Sequence, residues 1–240
     1  MPYRTFDLDE AARYLHLRPE DVQRLVKNQD IPFERHGERL LFRKVAIDSW
    51  ASQRILGMQG SRLADYHQST SRGTRQLSRS EAIMPGLIRP GFIDPALKAK
   101  TKSSVLRALT RLAETTGLLW DAPGLLQSLE VREALCSTGV PGGVAFPHPR
   151  SPEPFLVESS FILLGRTVQA VPFGASDGRE TDLFFLICCK DDRLHLHTLA
   201  RLCLMAQKTE LLQQLRQTSD RESLHGAIVQ SEQAVVGQGA

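Results

Sequence analysis

The sequence lacks the features of membrane-spanning, secreted and disulfide-stabilised proteins. Its longest apolar runs, such as LFFLICC, are far too short to cross a bilayer. The amino terminus, MPYRTFDLDE, carries acidic residues and has no apolar segment, so it does not have the pattern of a signal peptide. Only four cysteines are present, and no two of them form a Cys-x-x-Cys pair. We therefore expect a cytoplasmic protein with reduced cysteines and no membrane association.

The charge of the chain is small overall but unevenly distributed. Hydrophobic residues make up 41% and charged residues 24% of the 240 residues, which is ordinary for one large or two small globular domains. The formal net charge is +3. Residues 55–104 carry 8 lysines and arginines against 3 acidic residues, whereas residues 105–240 carry 12 against 15. This asymmetry favours an amino-terminal part that faces nucleic acid and a carboxy-terminal half with a different role.

Residues 1–56 have the pattern of a winged helix-turn-helix domain, mostly helical with one β-hairpin. Apolar residues recur at helical spacing in a first helix, at Leu8, Ala11, Ala12 and Leu15. Pro19 suits the first position of a second helix. The runs FERH and RLLFR, joined across Gly37, predict the hairpin, and KVAIDSWASQRI returns to a helical pattern. Such a domain lays its second helix in the major groove of DNA.

Seven side chains of this domain are candidate DNA contacts. They are Arg18, Gln23, Arg24 and Lys27 on the second helix, and Arg35, Arg39 and Arg43 in or after the hairpin. Arginine binds guanine with two hydrogen bonds and glutamine binds adenine in the same way, while a wing contacts phosphates or the minor groove. The stretch from Phe6 to Trp50 resembles the excisionase-type winged helix-turn-helix family, which is related to the MerR heads. The resemblance implies binding to double-stranded DNA.

The near-neutral charge of these residues leaves a second interpretation open. Residues 1–54 carry 10 basic and 9 acidic side chains, so they would release few counterions on DNA and bind it weakly alone. Dimerisation or the basic segment that follows would have to supply the remaining affinity. The alternative is that the helix-turn-helix is a protein-interaction module.

Three further segments follow this domain. Residues 57–85 are rich in serine, glycine, arginine and glutamine, which predicts a basic flexible linker. Residues 86–233 alternate helical and β-rich patterns, which predicts an α/β domain. Residues 234–240 are expected to form a disordered tail.

The segment REALCSTGVPGGVAFPHPR, residues 132–150, fixes one histidine in an unusually constrained loop. His148 lies between two prolines and after two glycines. A neutral imidazole is a good nucleophile and leaving group, so it can accept a phosphoryl group and pass it on. Gly142 and Gly143 would let backbone amides approach a phosphate, and Arg132 would offset the charge on its oxygens. This pattern predicts a phosphoryl-acceptor site.

A second histidine motif, DDRLHLHTLARL, opens a long predicted helix. His195 and His197 are two residues apart, and such residues point in different directions on a helix. One of them could therefore meet His148 while the other faces elsewhere. For the same reason a zinc site made of these three histidines and Cys203 is the least favoured interpretation, and we expect no bound metal.

Three motifs together resemble the enzyme IIA domain of the bacterial phosphotransferase system, of the fructose–mannitol type and closest to its nitrogen-regulatory branch. They are REALCSTG at 132–139, GVAFPH at 143–148 and HLHTL at 195–199. The resemblance covers residues 86–232 and implies a mixed sheet flanked by helices. It implies that the phosphoryl group is carried on His148 itself, with no cofactor, and is supplied by an HPr-like phosphocarrier protein.

The same resemblance assigns roles to further residues. Arg132 matches the active-site arginine of the family and His195 its second active-site histidine. Ser137 and Thr138 occupy the Ser-Thr-Gly turn, where they either bind the phosphate or cap the turn. Pro149 departs from the family pattern, because it removes one backbone N–H beside His148.

The sequence thus predicts a cytoplasmic phosphocarrier with a DNA-binding head that regulates rather than transports, and that is not a conventional turnover enzyme. The alternative is a phosphocarrier that donates its phosphate to a separate IIB protein during sugar uptake, with the head as a docking module. Pro149 keeps a third interpretation open, a IIA domain that has lost phosphoryl transfer and only binds partners. A homodimer is compatible with all three.

Overall fold

The structure is a computed structural model that describes residues 4–73, 82–150 and 155–237. Two regions form around separate sheets. We call residues 4–57 the head and residues 83–237 the C-terminal domain. A helix between them, α4 (Gly60–Gly73), packs against the C-terminal domain.

The head has the predicted order of helix, turn, helix, hairpin and helix. Its elements are β1 (Thr5–Phe6), α1 (Leu8–Leu15), α2 (Pro19–Lys27), β2 (Glu34–His36), β3 (Arg39–Arg43) and α3 (Lys44–Gly57). Asp7 caps α1 in a capping box with Glu10, and Pro19 begins α2. The three strands form an antiparallel sheet in the order β1-β3-β2. Of the head elements, only β1 is not predicted from the sequence, because two residues are too few to show an alternating pattern.

The C-terminal domain has the predicted α/β architecture. Its elements are α5 (Met84–Leu87), a 3-10 turn (Pro90–Phe92), β4 (Ile93–Leu97), α6 (Lys102–Glu114), α7 (Ala122–Leu135), β5 (Gly139–Val140), β6 (Val144–Ala145), β7 (Phe161–Val171), β8 (Thr181–Cys188), α8 (Asp192–Lys208), α9 (Leu211–Gln217) and α10 (Arg221–Gly237). The sheet order is β4-β7-β8-β6-β5. It is mixed, because β4 is parallel to β7 and β6 to β8, while β7 and β8 are antiparallel.

The two central strands explain the apolar runs in the sequence. Residues 161–165 of β7 and 183–188 of β8 are buried without alternation. Continuous burial is typical of strands that are covered on both faces. Gly165 allows close packing there, because a Cβ at this position would lie 2.9 Å from Leu97 Cδ2 and 3.1 Å from Leu109 Cδ2, and these side chains would have to shift.

The predicted flexible linker over residues 57–85 is wrong for residues 60–73, which form α4. Its buried side chains follow helical spacing, at Leu63, Tyr66, His67 and Thr70. The segment looks too polar to be ordered, but this single stripe is sufficient because α8 supplies the surface against which it packs. Met84–Leu87 is also helical, and residues 74–81 lie outside the described residues.

The predicted disordered tail is wrong for residues 234–237, since α10 continues to Gly237 and Val235 is buried. Residues 238–240 lie outside the described part of the chain. Across the ranges that the structure describes, none of the helices is both long enough and apolar enough to span a bilayer.

Candidate functional site

The loop before His148 is held by a tight turn between β5 and β6. Gly142 and Gly143 have φ of +98° and +77°, which strongly favours glycine. Arg216 Nη2 donates to the Gly142 carbonyl at 2.8 Å, while its Nε donates to Asp182 at 2.8 Å. A Cβ on Gly143 would lie 2.7 Å from Arg216 Nη2. The turn is therefore clamped by side chains from β8 and α9.

The amide of Gly142 is already engaged within the domain. We expected the amides of Gly142 and Gly143 to approach a phosphate, but the N–H of Gly142 donates to Asp177 Oδ2 at 3.2 Å. The two glycines instead provide the backbone geometry of the turn. After β6 the chain continues beside β8, where the Ile187 N–H donates to the Pro147 carbonyl at 2.9 Å. This hydrogen bond fixes the backbone directly before His148.

The imidazole of His148 is oriented by its own loop and by Arg132. Its Nδ1 lies 2.7 Å from the carbonyl oxygen of Phe146. A carbonyl only accepts hydrogen bonds, so Nδ1 carries the proton and Nε2 presents its lone pair. Arg132 Nε donates to that Nε2 at 3.0 Å. Burial, followed by the positive charge of Arg132 and the proximity of His195, lowers the pKa of His148 well below its ordinary value.

One terminal nitrogen of the Arg132 guanidinium, Nη2, makes no hydrogen bond to the described residues. The side chain is 1% exposed, and its Nη1 donates to the Cys136 carbonyl at 2.9 Å. Its Nη2 is buried and has no hydrogen-bond partner among the described residues. A buried guanidinium that has an unpaired donor and also contacts the imidazole Nε2 is suited to bind an anion at that point.

His195 is brought to the same place from the start of α8. Its ring centroid lies 4.9 Å from that of His148. Burial lowers the pKa of His195 to about 4, and the charges of Arg132 and Lys44 act in the same direction. His197 faces elsewhere, as expected for a residue two positions along a helix, and stacks on His67 at a centroid distance of 4.8 Å.

The hydroxyls of Ser137 and Thr138 hold the turn in which they lie. Ser137 Oγ donates to the Phe173 carbonyl at 2.8 Å and accepts from the Gly139 N–H at 3.0 Å. Thr138 Oγ1 donates to Glu133 at 2.7 Å. Of the two roles left open by the sequence, these hydrogen bonds favour capping of the turn.

Glu133 is a positioning residue that the sequence interpretation missed. Its carboxylate accepts from both the N–H and the hydroxyl of Thr138, and Lys102 Nζ lies 3.1 Å from Oε1. The signal was present, since Glu133 follows Arg132 within the REALCSTG motif. Through this carboxylate, the end of α7 that carries Arg132 is tied to the turn that leads to His148.

The comparison with known families identifies the C-terminal domain. A family model described as phosphoenolpyruvate-dependent sugar phosphotransferase system, EIIA 2, matches residues 87–231. The chain belongs to this EIIA family. The helix-turn-helix domain model matches residues 5–55, so the head is a helix-turn-helix domain at the amino-terminal side of the EIIA domain.

Similar proteins agree with this assignment. The EIIA domain is similar to a nitrogen regulatory protein of Bradyrhizobium diazoefficiens, with 31% identity over 145 residues, which are 59% of this chain and 92% of that protein. It is 31% identical over 129 residues to a PTS system fructose-like EIIA component of Escherichia coli, covering 52% of this chain and 84% of the relative.

The fold of the EIIA domain is also found among solved structures. The crystal structure of nitrogen regulatory protein IIA-Ntr from Neisseria meningitidis superposes with a TM-score of 0.56 at 22% identity, covering 61% of this chain and 99% of that one. The crystal structure of IIA mannitol from Escherichia coli gives a TM-score of 0.52 at 19% identity, covering 59% and 98%. At these identities the likeness concerns the fold.

The candidate DNA contacts of the head lie on its surface. All seven residues are exposed to solvent: Arg18, Gln23, Arg24, Lys27, Arg35, Arg39 and Arg43. Asp21 pairs with Arg18 at 2.9 Å and with Arg24 at 2.6 Å. Two of the four candidates at the start of α2 or within it are thus held by one carboxylate, which agrees with the near-neutral charge of the head.

The metal interpretation finds no support in the geometry. Within residues 4–73, 82–150 and 155–237, no group of three or more His, Cys, Asp or Glu side chains is placed to hold a metal ion. His195 and His197 face different neighbours, so they do not converge on one ion with His148.

Acidification from about pH 7.5 to about pH 5 is expected to destabilise the chain. Burial lowers the pKa values of His16, His148, His195 and His197, the last to about 2, so at these histidines only the unfolded state takes up protons as the pH falls below about 6.5. Each histidine then removes up to about 2 kcal/mol from the free energy of unfolding at pH 5. Asp48 opposes this by about 1 kcal/mol, because burial raises its pKa to about 6 and its native state gains a proton.

Urea unfolding at the two pH values measures this loss. In the His197→Gln variant the drop should be smaller by about 2 kcal/mol, because one of the four contributing histidines is gone. An equal drop in the variant and the parent would show that His197 does not contribute in this way.

Proposed function

We propose that Nε2 of His148 accepts a phosphoryl group from an HPr-like phosphocarrier protein, and that this transfer regulates the helix-turn-helix head. The observation that carries the proposal is the commitment of Nδ1 to the Phe146 carbonyl, which leaves the Nε2 lone pair beside Arg132. The EIIA domain acts as a phosphocarrier rather than as a conventional turnover enzyme, and the phosphoryl group needs no cofactor to carry it.

The transfer exchanges one phosphorus–nitrogen bond for another. The Nε2 lone pair of His148 attacks the phosphorus of a phosphohistidine on the donor, and the donor imidazole leaves with the electron pair of the broken bond. The proton on Nδ1 of His148 stays in its hydrogen bond with Phe146 throughout. No proton has to be removed from the nucleophile, because the tautomer is already set in the resting site.

Arg132 and His195 stabilise the transferring group. The hydrogen bond from Arg132 Nε occupies the lone pair that attacks, so the guanidinium shifts to the phosphoryl oxygens, where its unpaired Nη2–H adds a second donor. His195, beside the His148 ring, supplies a further hydrogen bond to these oxygens. Pro149 removes a backbone donor, and these side chains supply the donors in its place.

The regulatory branch is supported by the head and by the similarity to nitrogen regulatory proteins. In this account the head binds double-stranded DNA through the exposed side chains of α2 and the wing. A second candidate function is donation of the phosphoryl group to a separate IIB protein, with the head as a docking module. The 31% identity to a fructose-like EIIA component supports this candidate. Transfer to a IIB protein without binding to duplex DNA at low salt would select that candidate.

The test is phosphoryl transfer followed by intact mass. The full chain is incubated with phosphoenolpyruvate, enzyme I and an HPr-like donor, beside the variants His148→Ala and His36→Ala. His36 is an exposed wing histidine and serves as the matched control. We expect one acid-labile phosphoryl adduct on the parent and on His36→Ala, and none on His148→Ala. A folded parent that takes no adduct from a donor active on another EIIA protein would refute the proposal.

A further inference from the structure

The helix that carries His195 is covered on both sides. Residues 195–205 of α8 are all buried, which is unusual for a helix at the edge of a domain. On one side α8 packs against β8 and α10 of its own EIIA domain. On the other side it packs against α3 of the head and against α4. The head is therefore docked on the face of the EIIA domain that holds the phosphoryl-acceptor site.

Two contacts fix α3 at the His148 end of this face, and two more within the head support them. Ser52 is buried, and its Oγ lies 3.5 Å from Nε2 of His195. Lys44 Nζ lies 2.9 Å from Asp192 on α8 and 2.8 Å from Asp48 on its own helix. The Tyr14 hydroxyl donates to Asp48 and ties α1 to the same cluster. The lysine side chain is only 14% exposed, so this ion pair is shielded from solvent.

Contacts farther along α8 continue the same interface. Gln207 Nε2 donates to the Met58 carbonyl at 2.9 Å, where α3 ends. Arg201 Nε donates to Nε2 of His67 at 2.6 Å, and Thr70 Oγ1 lies 2.9 Å from Nδ1 of His197. Specific polar contacts of this kind define one docked arrangement rather than a loose association.

The acceptor histidine is buried in the docked arrangement. His148 and Arg132 are each 1% exposed, and the neighbouring ring of His195 is capped by Ser52 of the head. A phosphoryl donor is itself a protein, and its phosphohistidine must come within bonding distance of Nε2. Some part of the chain therefore has to move before the transfer, and α3 of the head contacts the neighbouring ring of His195.

We propose, on the basis of the phosphoryl transfer proposed above, that the head and the phosphoryl donor compete for one surface. This surface is the face of α8 that contacts α3, at the end where His195 lies beside His148. Donor binding requires α3 to leave this surface, and a phosphoryl group on His148 hinders its return. The group adds about two negative charges next to an interface in which Asp48 and Asp192 share the single ammonium of Lys44. Phosphorylation thereby releases the head.

Hydrogen–deuterium exchange of the full chain tests the release. The probe is the phosphorylated protein, with the parent without donor and the His148→Ala variant treated with donor as controls. We expect the amides of α3 and α4 to exchange at least about tenfold faster after phosphorylation, with no change in His148→Ala, because docking protects them. Complete phosphorylation with unchanged exchange in α3 and α4 would overturn the competition and leave the acceptor role of His148 intact.

A pair of charge reversals tests the competition from the other side. Lys44→Glu places a third carboxylate between Asp48 and Asp192, whereas Lys98→Glu makes the same change at an exposed site outside this interface. We expect Lys44→Glu to raise the initial rate of phosphoryl transfer roughly tenfold, and Lys98→Glu to leave it unchanged. Equal rates for the two variants would overturn the competition.

The two proposals fail differently in these experiments. An adduct that forms faster on Lys44→Glu than on the parent supports the competition, since the docked head then slows access of the donor to the site. No adduct on the parent, on Lys44→Glu or on Lys98→Glu overturns the acceptor role of His148 and the competition with it.

Discussion

Replacing Arg132 by lysine is expected to slow phosphoryl transfer to His148 by about a hundredfold or more. Lysine keeps the positive charge but not the planar set of donors. Arg132 uses Nε at His148 and Nη1 at the Cys136 carbonyl, and its Nη2 is free for an oxygen of the transferring group. An ammonium cannot hold the loop and the phosphoryl oxygens together, so the loss should appear in the transfer rate itself.

The measurement is the initial rate of phosphorylation by the HPr-like donor. Arg111→Lys makes the same substitution at an exposed position of α6 and should transfer at the parent rate. Arg132→Met removes the charge as well and should be slower than Arg132→Lys. Thermal unfolding of each variant distinguishes a folded protein with slow phosphoryl transfer from a protein that has lost its fold. Parent-like transfer by a folded Arg132→Lys protein would show that the guanidinium geometry is not needed.

Replacing Arg201 by methionine is expected to lower the free energy of unfolding by about 3–5 kcal/mol. Arg201 Nη1 lies 2.6 Å from Glu232 Oε1, and both side chains are 0% exposed. The Glu232 carboxylate also accepts the N–H groups of Ile83 at 2.8 Å and Met84 at 2.9 Å. Removal of the arginine leaves a buried carboxylate without its counter-charge, which is far more costly than the loss of a surface pair.

Urea unfolding of three variants gives the comparison. The double variant Arg201→Met with Glu232→Gln should be more stable than Arg201→Met alone, because no uncompensated charge remains. Asp21→Asn, which breaks the exposed pairs with Arg18 and Arg24, should cost no more than about 1 kcal/mol. A loss of less than about 1 kcal/mol for Arg201→Met would contradict the structural role of this pair.

The parts of the structure that depend on local pattern were predictable from the sequence. The capping box at Asp7, the proline at the start of α2 and the glycine turn of the wing each act within a few residues, so the order of elements in the head follows from them. The spacing of His195 and His197 on one helix indicated that only one would meet His148, which is the arrangement observed.

The parts that depend on distant surfaces were not predictable in this way. The polar segment of α4 becomes an ordered helix only because α8 covers its one apolar stripe. Arg201 and Glu232 look like surface residues in the sequence, and their burial is decided by how α4, α8 and α10 meet. The docking of Lys44 and Ser52 on α8 spans more than a hundred residues and leaves no local signal.

The central claim is that Nε2 of His148 accepts the phosphoryl group, and the most direct measurement is nitrogen and phosphorus NMR of the phosphorylated chain with ¹⁵N-labelled histidine. The account predicts phosphorus coupled to Nε2 of His148, with Nδ1 still protonated in its hydrogen bond to Phe146. Phosphorus on Nδ1 of His148, on His195 or on another histidine would contradict it, as would the absence of any phosphorus–nitrogen bond after treatment with an active donor.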